Sequence, residues 1–146
     1  MKFIRSLLVG VVALSPLSSF SQPTQVFVVR HAERAPEPQD DPAISSEGVA
    51  RAEALATVLA ATNLKAIFTT QYRRTQQTAT PTAKRFGLTP TVVTIKPGET
   101  DSHIKSLLAE IRRASGSVLI VGHSNTVAGI VAGLSSSNPK IGRAHV

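Results

Sequence analysis

The chain has 146 residues, room for one domain and not comfortably for two. Its 42% hydrophobic but only 4% aromatic content implies a core of Val, Leu, Ile and Ala, and the lack of cysteine excludes disulfides and thiol chemistry. The formal charge of +7 shrinks on inspection: without Lys2, Arg5, Lys140 and Arg143, which lie at two unusual ends, 12 basic residues face 9 acidic ones, or +3. That balance makes no case for a nucleic-acid partner, and it suits an anionic ligand held by a local excess of arginine.

The first stretch, "MKFIRSLLVGVVALSPLSSFSQ", has the order of a secretory signal. Lys2 and Arg5 give a basic start, Leu7 to Leu14 a short apolar run, and Ser19-Phe20-Ser21 a small-x-small cleavage site. A stable membrane anchor would need about 20 apolar residues, and Ser15 and Pro16 interrupt the run early. Residues 1–21 are therefore expected to direct export to the periplasm or the medium, ahead of a domain spanning 22–139. The last residues, "KIGRAHV", coincide with the translation of a short-read sequencing adapter, AAG ATC GGA AGA GCA CAC GTC TGA. Residues 140–146 are expected to be a non-native tail standing where the native chain would continue past Pro139, with His145 carrying no function.

"QVFVVR" (25–30) is a β-branched run bounded by polar residues, which predicts a buried strand. A Pro- and acid-rich loop, "APEPQDDPA", follows. "SSEGVARAEALATVLAAT" (45–62) predicts a helix capped by Ser45 or Ser46, with Val49, Ala52, Leu55, Ala56 and Leu59 on one face and Gly48 weakening the first turn. "AIFTT" (66–70) is a second strand. "RRTQQTATPTAKRFG" (73–87) is a helix that Pro81 should kink or split and Gly87 should end. "TPTVVTI" (89–95) is a third strand, and "TDSHIKSLLAEIRRASG" (100–116) a helix capped by Thr100 or Asp101 and closed by Gly116. "SVLIVG" (117–122) is a fourth strand, and "NTVAGIVAGL" (125–134) opens a last helix. Strands alternating with helices predict a parallel sheet with helices on its faces.

In open α/β sheets, ligands sit beyond the carboxyl ends of the strands. Strand one ends in Arg30-His31, strand two runs through "TTQY" into Arg73-Arg74, and strand four ends in Gly122-His123-Ser124 at a helix start. Two histidines and two arginines suit phosphoryl transfer. A neutral imidazole can attack phosphorus, guanidinium forks bind phosphate oxygens, and N–H groups at the helix start near Ser124 add to the phosphate-binding set. No acid-rich cluster of the kind Mg²⁺ would want appears, so no metal or other cofactor is expected. Taken singly the residues have plainer readings. Arg30 and Arg74 could be surface or ion-pair residues, His123 a satisfied buried histidine, Arg73 solvated, and Glu33 the partner of Arg34.

Three stretches together resemble the histidine phosphatase superfamily, also called phosphoglycerate mutase-like. "RHAE" is similar to its Arg-His-Gly motif, with Ala32 in place of the usual glycine. "TTQYRRTQQTA" matches its S-S-x-x-x-R-A-x-Q-T-A pattern, which singles out Arg74 over Arg73, and "VGHSNT" matches the setting of its second histidine. The likeness runs from about Gln25 to Leu134. It implies a three-layer α/β sandwich with a mostly parallel sheet, here lacking C-terminal elements. It also implies His31 as the nucleophile, Arg30 and Arg74 as the phosphate clamp, and His123 on the phosphoryl oxygens. The acid that protonates a leaving alkoxide would come from "KPGETDSHIKS", with Glu99 the first choice and Asp101 the second. Asp101 has a competing reading as a helix cap with Lys105 four residues on, and His103 is expected to be exposed. Without an acid in reach, good leaving groups such as phosphoramidates are favoured.

The function this implies is an exported phosphatase acting on phosphate monoesters or phosphoramidates through a phosphohistidine on His31. The partner would be a phosphorylated small molecule or a phosphoprotein, and the oligomeric state stays open. The alternatives are a protein phosphohistidine phosphatase and a catalytically inactive phosphate-binding module.

Overall fold

In the computed structural model of the chain, residue 23 and residues 25–137 are described. The expected signal at 1–21 and tail at 140–146, with His145, lie outside the described residues. The sheet is organised by β4 (Ser117–Gly122), every residue of which is buried. Its uninterrupted "VLIV" is what a strand covered on both faces requires. Around it lie β1 (Gln25–Arg30), β2 (Leu64–Thr69) and a short β3 (Thr91–Val92), all parallel, in the order β1-β4-β2-β3.

Alternation along β4 assigns its side chains to two cores. Val118 and Ile120 pack with Phe68 beneath α3 (Thr100–Arg113) and α4 (Ser124–Ser137), through Leu107, Leu108, Ile111, Ile130 and Leu134. Leu119 and Val121 face the other way, against Leu59, Ala79 and Ala83 from the end of α1 (Ser46–Val58) and from α2 (Arg73–Phe86). The result is the three-layer α/β arrangement the alternation of elements predicts. Among the described residues, no helix is long and apolar enough to cross a membrane.

Several local expectations change. Ser45 does cap α1, its hydroxyl accepting from the Gly48 N–H at 3.2 Å, but Val49 is 50% exposed. The buried face runs through Gly48, Ala52 and Ala56 instead. A Cβ at position 48 would lie 2.5 Å from the Glu33 carbonyl oxygen, so glycine lets α1 approach the loop that follows β1. Pro81 does not split α2, which runs unbroken through it. Burial of Thr75, Thr78, Ala79, Thr82 and Ala83 on that helix offsets the lost hydrogen bond, and Gly87 ends it in the left-handed region at φ 63°.

The third strand shrinks to two exposed residues, because only Thr91 and Val92 pair with β2. Neither Thr100 nor Asp101 caps α3. Glu99 holds the cap position without a side-chain bond, and Asp101 sits in the first turn. His103 is buried, since it shares the i, i+4, i+8 row with Leu107 and Ile111. Glu33 pairs with Arg51 at 2.6 Å rather than with Arg34.

Candidate active site

Strand register places the chemistry. β1 pairs with β4 so that Arg30 lies opposite Gly122, and the ladder extends one residue further as the His31 N–H donates to the Gly122 carbonyl at 3.0 Å. The residues after the two strand ends, His31 and His123, therefore sit side by side, with ring centroids 5.4 Å apart at 64°. Both rings are buried.

The tautomer of each ring follows from its partners. His31 Nδ1 lies 2.8 Å from the Ala32 carbonyl oxygen, which can only accept, so Nδ1 carries the proton and the lone pair is on Nε2. His123 is the reverse. Its Nδ1 lies 3.4 Å from Arg74 Nη2, which can only donate, so Nδ1 accepts and Nε2 carries the proton. Nε2–H then donates to Thr70 Oγ1 at 2.9 Å. The Thr70 hydroxyl then donates to Thr75 Oγ1 at 3.0 Å, and the Thr75 hydroxyl donates to the Tyr72 carbonyl at 2.8 Å. Thr70 and Thr75 are fully buried, so this chain is closed to water.

Burial is the first cause that lowers both histidine pKa values. For His31 the Ala32 bond opposes it, while Arg74, Arg30 and Arg34 push the same way as burial. His123 falls to about 4, with Arg74, His31 and His103 adding to its burial. Both rings are neutral at pH 7, and His31 keeps the lone pair that a nucleophile needs.

Arg74 is fixed from several sides. Its guanidinium stacks on the Tyr72 ring at 4.3 Å and lies 3.8 Å from Asp41, while its buried Nε has no acceptor among the described residues. The Asp41 carboxylate also accepts from the Arg73 N–H at 3.0 Å, capping α2 from a distant loop where Tyr72, at the cap position, offers no side-chain bond. Ala32 N–H donates to Thr78 Oγ1 at 2.9 Å, which ties the loop after β1 to the same helix.

These groups line one cleft of about 380 Å³, with Arg30, His31, Arg34, Tyr72, Arg74 and Lys96 in its wall beside His123, Ser124 and Asn125. A larger apolar groove of about 980 Å³ runs along β1 beside α1 and shares Arg30, His31 and Arg34 with the cleft. The structure thus brings together Arg30, His31, Arg74, His123 and Ser124. Glu99 and Asp101 are exposed and neither lines the cleft, although Gly98 and Thr100, on either side of Glu99, do; no carboxylate is among the lining residues. Arg73 is exposed, as its solvated reading expects.

Sequence reasoning missed Arg34, Asp41, Thr70, Tyr72, Thr75 and Lys96. Thr70 and Tyr72 stand in the quoted "TTQY", and Asp41 in the acidic loop, so the residues were visible but their directions were not. No group of three or more His, Asp or Glu among the described residues is placed to hold a metal ion.

A parallel sheet whose strand ends gather two neutral imidazoles and two arginines in one basic cleft defines a phosphate-handling α/β protein. Residues 26–99 match the histidine phosphatase superfamily (branch 1), and the chain belongs to that superfamily, whose enzymes include phosphatases. No curated protein matches the chain significantly. Among solved structures it is similar to a candidate phosphohistidine phosphatase, SixA, from Agrobacterium tumefaciens. Identity is 27%, with 82% of this chain and 86% of that one covered and a TM-score of 0.57. It shares its fold with the protein histidine phosphatase SixA complexed with tungstate (21% identity, 74% of each chain, TM-score 0.60). The same holds for the mycobacterial glucosyl-3-phosphoglycerate phosphatase Rv2419c (18% identity, 75% of this chain and 78% of that one, TM-score 0.56).

Proposed function

We propose that the protein is a metal-independent phosphatase that works through a phosphohistidine at His31, with phosphoramidates such as phosphohistidine as its better substrates. The observation that carries this reading is the pair of neutral imidazoles 5.4 Å apart in a cleft lined by cations and by no carboxylate. In the first step the Nε2 lone pair of His31 attacks phosphorus and the bond to the leaving group breaks. In the second, water attacks the phosphoryl group, the P–N bond to His31 breaks, and inorganic phosphate leaves with His31 neutral again. Arg30, Arg74 and the N–H groups at the start of α4 neutralise the phosphoryl oxygens as charge develops. His123 acts through Arg74, whose Nη2 donates to its Nδ1 at 3.4 Å while its own Nε2–H is committed to Thr70.

The absence of a carboxylate from the cleft bears on the leaving group. An alkoxide must be protonated as it departs, whereas the nitrogen of a phosphoramidate takes a proton from solvent beforehand. Glu99 and Asp101, both off the cleft, leave the alkyl ester the harder substrate. The similarity to the Agrobacterium tumefaciens protein supports a phosphohistidine substrate. The basic-apolar-small pattern of residues 1–21 supports export, which fractionation of cells carrying the tagged full chain would test.

His31→Ala should lower turnover of a phosphohistidine peptide by at least about 10³-fold. Acid-labile, base-stable phosphate should appear on the wild type after rapid quench. A folded His31→Ala protein with near-normal turnover would reject the covalent route, and retention of ligand without any labelling would make the protein a binding module.

A further inference from the structure

Where β2 ends, a side chain carries the sheet on. β2 and β3 pair in parallel through Phe68 with Thr91 and Thr69 with Val92, and the Val93 N–H donates to the Thr69 carbonyl at 2.8 Å. Had β2 run further, the carbonyl of residue 71 would accept from the Ile95 N–H, and the N–H of residue 73 would donate to the Ile95 carbonyl. Both groups are engaged elsewhere, because the backbone turns over residues 70–72 to start α2 and bring Arg74 to the site. The Gln71 carbonyl accepts from the Gln76 side chain at 2.9 Å, and the Arg73 N–H donates to Asp41 at 3.0 Å. The Gln71 side-chain amide makes the two ladder bonds instead. Its Oε1 accepts from the Ile95 N–H at 3.0 Å, and its Nε2 donates to the Ile95 carbonyl at 2.7 Å. Ile95 is 7% exposed, so water is a poor replacement for either bond.

The segment placed in this way is a wall of the cleft: Ile95, Lys96, Pro97 and Gly98 line it beside Tyr72 and Arg74. A second brace comes from α3, where His103 Nδ1–H donates to the Thr94 carbonyl at 3.2 Å. Arg30, Arg74 and the start of α4 already supply the phosphoryl clamp. A single phosphoryl group fills only part of a cleft of about 380 Å³, which leaves this wall to meet the group that departs from phosphorus.

We propose that Gln71 is a positioning residue for leaving-group recognition, its amide standing in for two strand residues and holding the wall of residues 95–98 against which the leaving group packs. The inference deepens the phosphatase reading and rests on it for what enters the cleft.

Gln71→Ala removes both bonds, and Gln71→Met removes them while keeping the bulk, which guards against a variant that fails to fold. Exchange of the Ile95 amide, followed by NMR, should quicken in both, by about fivefold for each bond lost and so about 30-fold in all. Kinetics are compared on phosphoramidate, whose leaving group is ammonia, and on a phosphohistidine peptide. A loosened wall must be ordered when the larger substrate binds, so KM for the peptide should rise about tenfold with kcat within about twofold. Both constants for phosphoramidate should stay within about twofold, because ammonia is too small to need the wall. The proposal is overturned if Ile95 exchanges at the wild-type rate in both variants, or if exchange quickens while the peptide KM stays put. It is equally overturned if phosphoramidate loses as much as the peptide, the pattern that damage to Arg74 and α2 would give. A wild type inactive on both substrates would reject the phosphatase reading and this one with it; a wild type active on both, matched by its variants, would refute this one alone.

Discussion

Thr70 offers a sharp test of how the site is built, because it touches His123 only on the side away from Arg74. Thr70→Val removes the single acceptor of the His123 Nε2–H, now 2.9 Å away, in a place where residue 70 is 2% and residue 123 is 6% exposed. Water cannot replace it. The ring can keep its proton on Nε2 and leave a buried N–H unpaired, which costs about 1–3 kcal/mol. Alternatively it can move the proton to Nδ1, which then confronts Arg74 Nη2, itself only a donor, at 3.4 Å. The first response leaves the ring without its buried anchor, and the second breaks its contact with Arg74.

The expected fall in Tm is about 3–10 °C. If the same 1–3 kcal/mol appears in the transition state, kcat drops about 5- to 160-fold. Thr70→Ser restores the hydroxyl and should recover most of both. The decisive measurement is the imidazole ¹⁵N spectrum, which separates the two tautomers. A folded Thr70→Val protein with wild-type kcat and an unchanged Nε2–H signal on His123 would refute the role assigned to the threonine chain.

The depressed histidine pKa values set two pH responses. His31 attacks only when neutral, and its pKa is lowered from 6.5, so kcat/KM should be flat near pH 7 and fall with an acid limb centred below 6.5. For stability, the unfolded chain holds more histidine protons than the folded one between the His123 value of about 4 and 6.5. Stability should therefore rise with pH through that window and level off above it, read as the denaturation midpoint between pH 5 and 7.5; a midpoint that falls over this range contradicts the buried neutral rings. Glu99→Gln/Asp101→Asn should leave phosphohistidine-peptide turnover within about twofold, as expected of exposed groups off the cleft. A loss above about tenfold would mean that an acid reaches the leaving group.

The elements on which the site depends are local enough to be legible in the chain alone. β1 and β4 announce themselves as apolar runs whose last residues break the pattern with Arg30-His31 and Gly122-His123. α2 carries Arg74 in its first turn, at a spacing that the motif fixes. Gly87 and Ser45 act as the stop and cap that their chemistry predicts. Errors arise where tertiary context overrides a local preference. Pro81 stays inside an unbroken helix because that helix is buried along one side, and "TPTVVTI" yields two strand residues because β2 offers pairing only to Thr91 and Val92. His103 turns inward because its helical row, not its polarity, decides where it points.

What residue order determined by itself is which side chains reach the rim: strand ends and helix starts follow from periodicity, and the imidazoles and guanidiniums at those breaks define an anion site. Only the tertiary structure decided their states. The pairing of Arg30 with Gly122 sets the two rings 5.4 Å apart, and Arg74 from α2, which can only donate, assigns the protons of one of them. Glu99 and Asp101 are exposed, with no carboxylate among the residues that line the cleft. Such outcomes depend on distance and direction between segments far apart in the chain, and a one-dimensional pattern holds neither quantity.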